Sequence, residues 1–234
     1  MRYDEFTVIL PTLNEKETIG TLIQRLLLSY EGISILVSDD GSVDGTPEIV
    51  RRISRRNRRV SFFDRRGAGL KRGLTASAVD GIRDSRTRYC IVMDADLQHP
   101  VEVVGKVAAK LAAGDDLVVA VRADVRKWEV HRKIISKVLI WIGYGILVAT
   151  GRSRCDDIFS GFFGVDRRLF VKTYKENRGR FVDGGYKILF DFMKCVGNKE
   201  MSVGEVPYSF GVRKYGASKA GIRQGLLLFR SFFS

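Results

Sequence analysis

Short apolar runs alternate with segments of helical period over the first half of the chain, and this alternation restricts the fold more than any other feature. Residues 6–10 are apolar and short enough for a buried strand. Ile19, Leu22, Ile23, Leu26 and Leu27 then share one helical face, with Asn14 and Glu17 as the expected cap. Residues 33–38 predict a second strand, and Thr46-Pro47 opens a second helix with a capping residue and a proline at its first position. A strand over 60–63, a helix over 74–82 and a strand over 89–93 follow. A helix over 100–113, closed by Gly114, and a strand over 117–121 complete the series. Such alternation predicts an α/β chain: a mainly parallel sheet with helices on both faces. Ligands of these sheets bind at the carboxyl ends of the strands.

Beyond Val121 the alternation stops. A basic and then apolar helix is expected over 127–149, a strand over 159–165, a helix over 185–196, a strand over 203–208 and a terminal apolar helix. No linker, repeat or low-complexity tract divides the 234 residues, so residues 1–234 read as one domain. Apolar residues make up 45% of the chain, a globular composition. The start, MRYDEF, lacks the apolar stretch of a signal peptide. No apolar run reaches the roughly 18–20 residues that span a bilayer. The segments 129–150 and 219–234 are instead expected to be amphipathic helices lying on a membrane surface. Packing of both helices on the sheet is the competing reading.

The formal net charge is +13, and much of it is concentrated. Ten basic residues face the single acid Asp64 between Arg51 and Arg72. Such a run suits anionic lipid, an acidic substrate or nucleic acid, and equally a solvated arginine face. Only Phe62 and Phe63 interleave with it, inside an apparent buried strand, so the stacking pattern of a nucleic-acid binder is missing. Cys90, Cys155 and Cys195 are widely spaced and odd in number, which fits buried thiols in a reducing compartment.

Three strand ends carry polar clusters. They are Pro11-Thr12-Leu13-Asn14-Glu15, then Asp39-Asp40-Gly41-Ser42 with Asp44-Gly45-Thr46, and Asp94-Ala95-Asp96-Leu97-Gln98-His99. The fold rule turns all three toward one crevice. Asp94 and Asp96, two residues apart, would leave an extended strand on the same side. Their carboxylates, with Gln98, suit Mg2+ or Mn2+ beside phosphate oxygens. A cation there would neutralise a departing nucleoside diphosphate. Asp, Gly and Ser also dominate plain turns, and Asn14 and Glu15 also cap helices, so the first two clusters remain open between binding and scaffold.

Taken together the clusters carry a resemblance. VILPTLNE (8–15), VSDDGSVDGT (37–46), VMDADLQHP (92–100), DIFSGFFGVDRRLF (157–170), GYKILFDF (185–192) and EVPYSFGVRKYGASKAG (205–221) occur in this order. The chain resembles the family 2 glycosyltransferases of GT-A, Rossmann-like fold, and within them the dolichol-phosphate mannose synthase branch. The resemblance implies that Pro11, Thr12, Asn14 and Glu15 begin a nucleotide pocket, with Asp40 near base and ribose. It implies that Asp94, Asp96 and Gln98 hold metal and diphosphate and that Arg122 is an active-site arginine. Ser160, Arg213 and Lys219 are implied to contact donor or acceptor phosphate. One departure stands out. Where the family commonly reads G-L-G-x-A, this chain reads Gly69-Leu70-Lys71-Arg72-Gly73-Leu74-Thr75-Ala76, with two basic residues in the turn.

The implied reaction is inverting transfer of mannose from GDP-mannose to a polyprenyl (dolichyl) phosphate, without nucleic acid as partner. It implies a peripheral place on the cytoplasmic face of a membrane, with a separate membrane-anchoring subunit as a further implied partner. Two rivals are another donor such as UDP-glucose, and a basic lipid- or nucleic-acid-binding module without catalysis.

Overall fold

The computed structural model describes residues 1–124, 130–185, 187–197, 201–211 and 232. The first half forms as expected: β1 (Phe6–Thr12), α1 (Ile19–Ser29), β2 (Ser34–Asp39), α2 (Thr46–Arg56), β3 (Val60–Asp64), α3 (Leu74–Asp84), β4 (Tyr89–Val92), α4 (Glu102–Ala112) and β5 (Leu117–Asp124). Then come α5 (Val130–Ala149), β6 (Phe163–Asp166), α6 (Arg167–Glu176), α7 (Ile188–Cys195) and β7 (Val203–Ser209).

The strands form one seven-stranded sheet in the order β3-β2-β1-β4-β6-β5-β7. All pair in parallel except β6, which runs antiparallel to both β4 and β5. Successive side chains of a strand point to opposite faces. Val8 and Leu10 therefore join one core with Leu22, Ile23, Val50 and Val104 from α1, α2 and α4. Ile9 joins the other core with Val79, Ile82, Phe170 and Phe190 from α3, α6 and α7. Burial on both faces explains why these strands read as unbroken apolar runs rather than as alternating ones.

Several local expectations change. Thr18, not Asn14, precedes α1, and it makes no side-chain cap. Asn14 instead takes a left-handed backbone (φ 55°) and braces the loop after β2, for Val43 N donates to its Oδ1 at 2.9 Å. The expected strand over 159–165 begins only at Phe163, because residues 157–161 turn beneath the site. Helix α6 escaped the sequence reading. Its apolar face is narrow, but Asp166 caps it, accepting from Arg168 N and Leu169 N at 2.8 and 3.1 Å. Strand β3 is an edge strand with Phe62 and Phe63 only half-buried, not the buried strand expected. The three cysteines are buried, as expected. Arg213, Lys219 and all of the terminal segment except Phe232 lie outside the described residues.

Candidate active site

The first two clusters are sewn together where β1 and β2 end. Asp39 accepts from Thr12 Oγ1 (3.0 Å), Ser42 Oγ (2.6 Å), Gly41 N (3.0 Å) and Ser42 N (2.8 Å). Asn14 N donates to Ser42 Oγ at 2.7 Å, and Glu15 N to Thr46 Oγ1 at 2.9 Å. Asp44 accepts from Lys16 N and Thr46 Oγ1, and its carboxyl sits below the ordinary range because these bonds outweigh the upward push of burial. Thr12 and Pro11 are buried, so much of this region serves as scaffold, and Asn14 and Glu15 keep part of their surface toward solvent.

Asp40 is held from beneath by an arginine that the sequence placed among exposed ones. Arg65 is 1% exposed. Its guanidinium bonds Asp40 Oδ1 and the Lys71 carbonyl, and its Nε and Nη2 reach Asp80 Oδ2 at 3.1 and 3.0 Å. The other oxygen of Asp40 accepts from Gly73 N at 2.9 Å. Gly73 is the glycine this turn requires: its φ is 139°, and a Cβ there would meet the Asp183 carbonyl at 2.1 Å. Lys71 and Arg72, the departure noted above, both lie exposed at the mouth of the turn.

The third cluster is not an extended strand. β4 ends at Val92, and Leu97 takes φ 61°, so residues 94–99 form a turn. Asn14 and Leu97 are the two non-glycine residues with positive φ among those described, and both fall in candidate clusters. The side chain of Asp94 is 38% exposed, and its Oδ2 lies 3.3 Å from His99 Nε2. Burial would raise its carboxyl, but the hydrogen bond from His99 and the charges of Arg122 and Lys187 bring it below the ordinary range. A Cβ on Gly161 would press to 3.0 Å from Asp94 Oδ2, which gives the S-G-F segment its physical reason. Asp96 is buried, and its Oδ1 accepts from Gln98 N at 3.1 Å. Gln98 Nε2 donates to Gly211 O at 3.0 Å.

Among the described residues, two cations lie beside this turn. Arg122, on β5, forms a bidentate pair with Asp157, at 2.6 and 2.8 Å. Lys187, just ahead of α7, donates to Phe159 O at 3.3 Å and lies 4.8 Å from the Phe159 ring centre. Burial first and then the Arg122 charge push its ammonium down to about 7, against the pull of Asp157 and Asp94. Asp157, Lys187 and His99 received no role from sequence reasoning, although all three lie in the motif segments quoted above. Ser160 is near, but its hydroxyl is committed to Ala120 O at 2.7 Å and Phe162 O at 3.1 Å. It fastens the turn before β6 to β5.

The donor chemistry fits a hard divalent cation. Asp94, Asp96 and the Gln98 amide offer oxygen donors on one turn. No group of three or more His, Cys, Asp or Glu gathers among the described residues, so a cation held here would take only part of its shell from these side chains. Mg2+ commonly keeps waters or substrate phosphates in the remaining positions.

The carboxylate turn, Arg122 and Lys187 thus gather at the carboxyl ends of a mainly parallel sheet, where ligands of such sheets bind. The glycosyl transferase family 2 model matches residues 7–173, and the chain belongs to that family. It is 33% identical over 220 residues to a dolichol-phosphate mannosyltransferase of Pyrococcus furiosus, covering 91% of this chain and 58% of that protein. The chain therefore spans somewhat more than half of that relative's length. Proteins of the same name from Mycosarcoma maydis and Saccharomyces cerevisiae are each 30% identical, covering 91% and 92% of this chain and 72% and 80% of theirs. The fold is similar to glucosyl-3-phosphoglycerate synthase of Mycobacterium tuberculosis, solved with Mn2+, UDP-glucose and glycerol 3-phosphate. The TM-score is 0.67 at 18% identity, over 98% of this chain and 77% of that one.

Proposed function

We propose that this chain transfers mannose from GDP-mannose to a polyprenyl (dolichyl) phosphate with inversion at the anomeric carbon. The observation that carries the reading is the Asp94–Asp96 turn facing Arg122 and Lys187 in one crevice. The names of the relatives above support the sugar and the acceptor class. An acceptor phosphate oxygen forms a bond to the anomeric carbon as the bond to the diphosphate breaks, and GDP leaves. The acceptor is already an anion at neutral pH, so no strong base is required. Positioning and electrostatic stabilisation then carry the rate. Arg122, fixed by Asp157, and Lys187 hold negative charge where it develops. Mg2+ or Mn2+ bound through Asp94, Asp96 and Gln98 would supply Lewis-acid stabilisation of the diphosphate. Pro11, Thr12, Asn14, Glu15 and Asp40 would form the nucleotide side, and Arg213 and Lys219 the phosphate grip. A screen of GDP- and UDP-sugars with a short polyprenyl phosphate tests the donor. Preference for GDP-mannose is expected, and preference for UDP-glucose would replace the donor while keeping the reaction class.

Lys187 gives this reading a pH signature. Below about 7 its ammonium is charged and attracts the diphosphate; above that value the amine is neutral. Since kcat/KM reports groups of the free enzyme, it should fall for the donor as pH rises from about 6 to about 8. Lys187→Arg, charged throughout, should lose that step. A flat profile in the parent would contradict the role.

Membrane contact is proposed for α5. One face packs inward: Leu147 is buried, and a Cβ on Gly143 would lie 2.4 Å from Ile158. The opposite face exposes Trp141 (75%), Ile142 (46%) and Val148 (56%). Trp favours bilayer interfaces, and an apolar helix face can lie in them. No helix among the described residues is long and apolar enough to cross a membrane. The cytoplasmic leaflet, and a separate anchoring subunit, follow from the resemblance and belong to this proposal. Flotation with anionic liposomes should carry the parent upward and leave the Trp141→Glu/Val148→Glu variant behind. Equal flotation would remove α5 from the contact.

A further inference from the structure

Among the described residues His99 is the imidazole beside the carboxylate turn, and the reaction as proposed gives it nothing to do. It is 4% exposed and packed edge-on against Phe162 and Phe210. A buried ring of this kind could serve packing alone. Its two nitrogens argue otherwise. Nδ1 lies 2.9 Å from the Tyr208 hydroxyl, and Nε2 lies 3.3 Å from Asp94 Oδ2. Tyr208 stands on β7 in register with Arg122 of β5, so the chain of contacts runs from a neighbouring strand to the carboxylate turn. Burial keeps the Tyr208 hydroxyl protonated far above its ordinary range. One arrangement then satisfies all three groups: the phenol donates to Nδ1, and the ring donates from Nε2–H to Asp94 Oδ2.

We propose that the Tyr208–His99 pair positions Asp94 for the metal–nucleotide complex, engaging one carboxylate oxygen and presenting the other to the ligand. The inference rests on the reading of Asp94 as part of the metal and diphosphate site. Its logic is that a carboxylate ligand on a turn, 38% exposed, has rotational freedom that a directional hydrogen bond removes. Groups that orient a metal ligand in this way typically contribute about 10–100-fold to metal affinity or activity. The segment just after β7 clasps the same turn a second time, for Gly211 N donates to Gln98 O at 2.8 Å. The turn is therefore gripped on both sides of its strained residue, Leu97.

The test uses the whole chain and reads binding rather than transfer. Mn2+ affinity is measured by electron paramagnetic resonance, with GDP and with UDP present, in the parent and in Tyr208→Phe, His99→Phe and His99→Gln. Tyr208→Phe removes only the hydroxyl, and His99→Phe preserves an aromatic filler while removing both bonds. His99→Phe should weaken Mn2+–nucleotide binding by about 10–100-fold, with Tyr208→Phe weakening it by a smaller factor in the same direction. His99→Gln, which keeps a donor near the Nε2 position, should recover part of the loss. Steady-state assays should place the change in the metal and donor KM more than in kcat. If His99→Phe does not fold, Tyr208→Phe decides alone, and binding within twofold of the parent in a folded Tyr208→Phe or His99→Phe protein overturns the proposal. If the parent binds Mn2+ with either nucleotide but transfers no sugar, the function reading fails while this one stands. If the parent binds no Mn2+ with either nucleotide, both fail.

Discussion

Asp96→Asn is expected to retain the fold and to lose turnover by roughly 10²–10³-fold or more, the scale seen when one preorganised electrostatic group is removed. Asparagine keeps the shape and the oxygen that accepts from Gln98 N, so the turn at 94–99 should survive. What it loses is the negative charge that a divalent cation requires. Asp96→Ala should abolish turnover as well, with an added stability cost, because the Gln98 amide would lose its acceptor (about 1–3 kcal/mol). Chelation of the parent should reproduce the loss without moving the melting temperature of the apo chain. Steady-state kinetics with Mn2+ or Mg2+, run beside thermal melts, separates these effects. Full activity in a metal-free preparation would refute the role of the cluster.

The second large effect concerns Arg122. Its partner Asp157 has a side chain only 7% exposed, and the pair is bidentate. Breaking a buried ion pair by removing one partner strands the other charge and costs about 3–5 kcal/mol. Arg122→Ala should therefore lower the urea midpoint strongly and abolish transfer at the same time. Replacing both members, as Arg122→Met/Asp157→Leu, should recover much of the stability, since apolar pairs of similar volume are often neutral or better. Transfer should stay lost, because the Arg122 guanidinium is gone from beside Asp94. Arg122→Lys should not restore it, for a point charge cannot reproduce the planar fork. Recovery of activity in the double variant would assign Arg122 to folding alone.

The sheet was readable because its strands are buried on both faces and its helices carry one apolar stripe each. Residues 6–121 therefore announced strand and helix by period alone. The exceptions have physical causes. α6 hides its apolar face among charges, and its start is marked by a single capping aspartate. Arg65 looks like its exposed neighbours, since no sequence period distinguishes a guanidinium that meets Asp40, Asp80 and a carbonyl across long separations.

The site was readable at the level of clusters and less so at the level of roles. Asp94 and Arg122 lie near enough to act on each other electrostatically, and Asp96 and Gln98 share the turn of Asp94. Asn14, Thr12 and Asp39 also brace the loops after β1 and β2, a second use of the same turn residues that no sequence pattern separates from binding. Lys187 and Asp157 had no strand-end position to expose them. Lys187 interacts electrostatically with Asp94 across 93 residues of chain, and Asp157 pairs with Arg122 across 35.

The most direct measurement of the central claim follows the sugar itself. The chain is incubated with GDP-mannose labelled in the mannose, a short polyprenyl phosphate and Mn2+, and the mixture is partitioned between water and organic solvent. Label should enter the organic phase with one GDP formed per mannose moved, in amounts that depend on the acceptor and vanish in Asp96→Asn. GDP released at the same rate without the lipid, or label that never leaves the aqueous phase, would contradict the account.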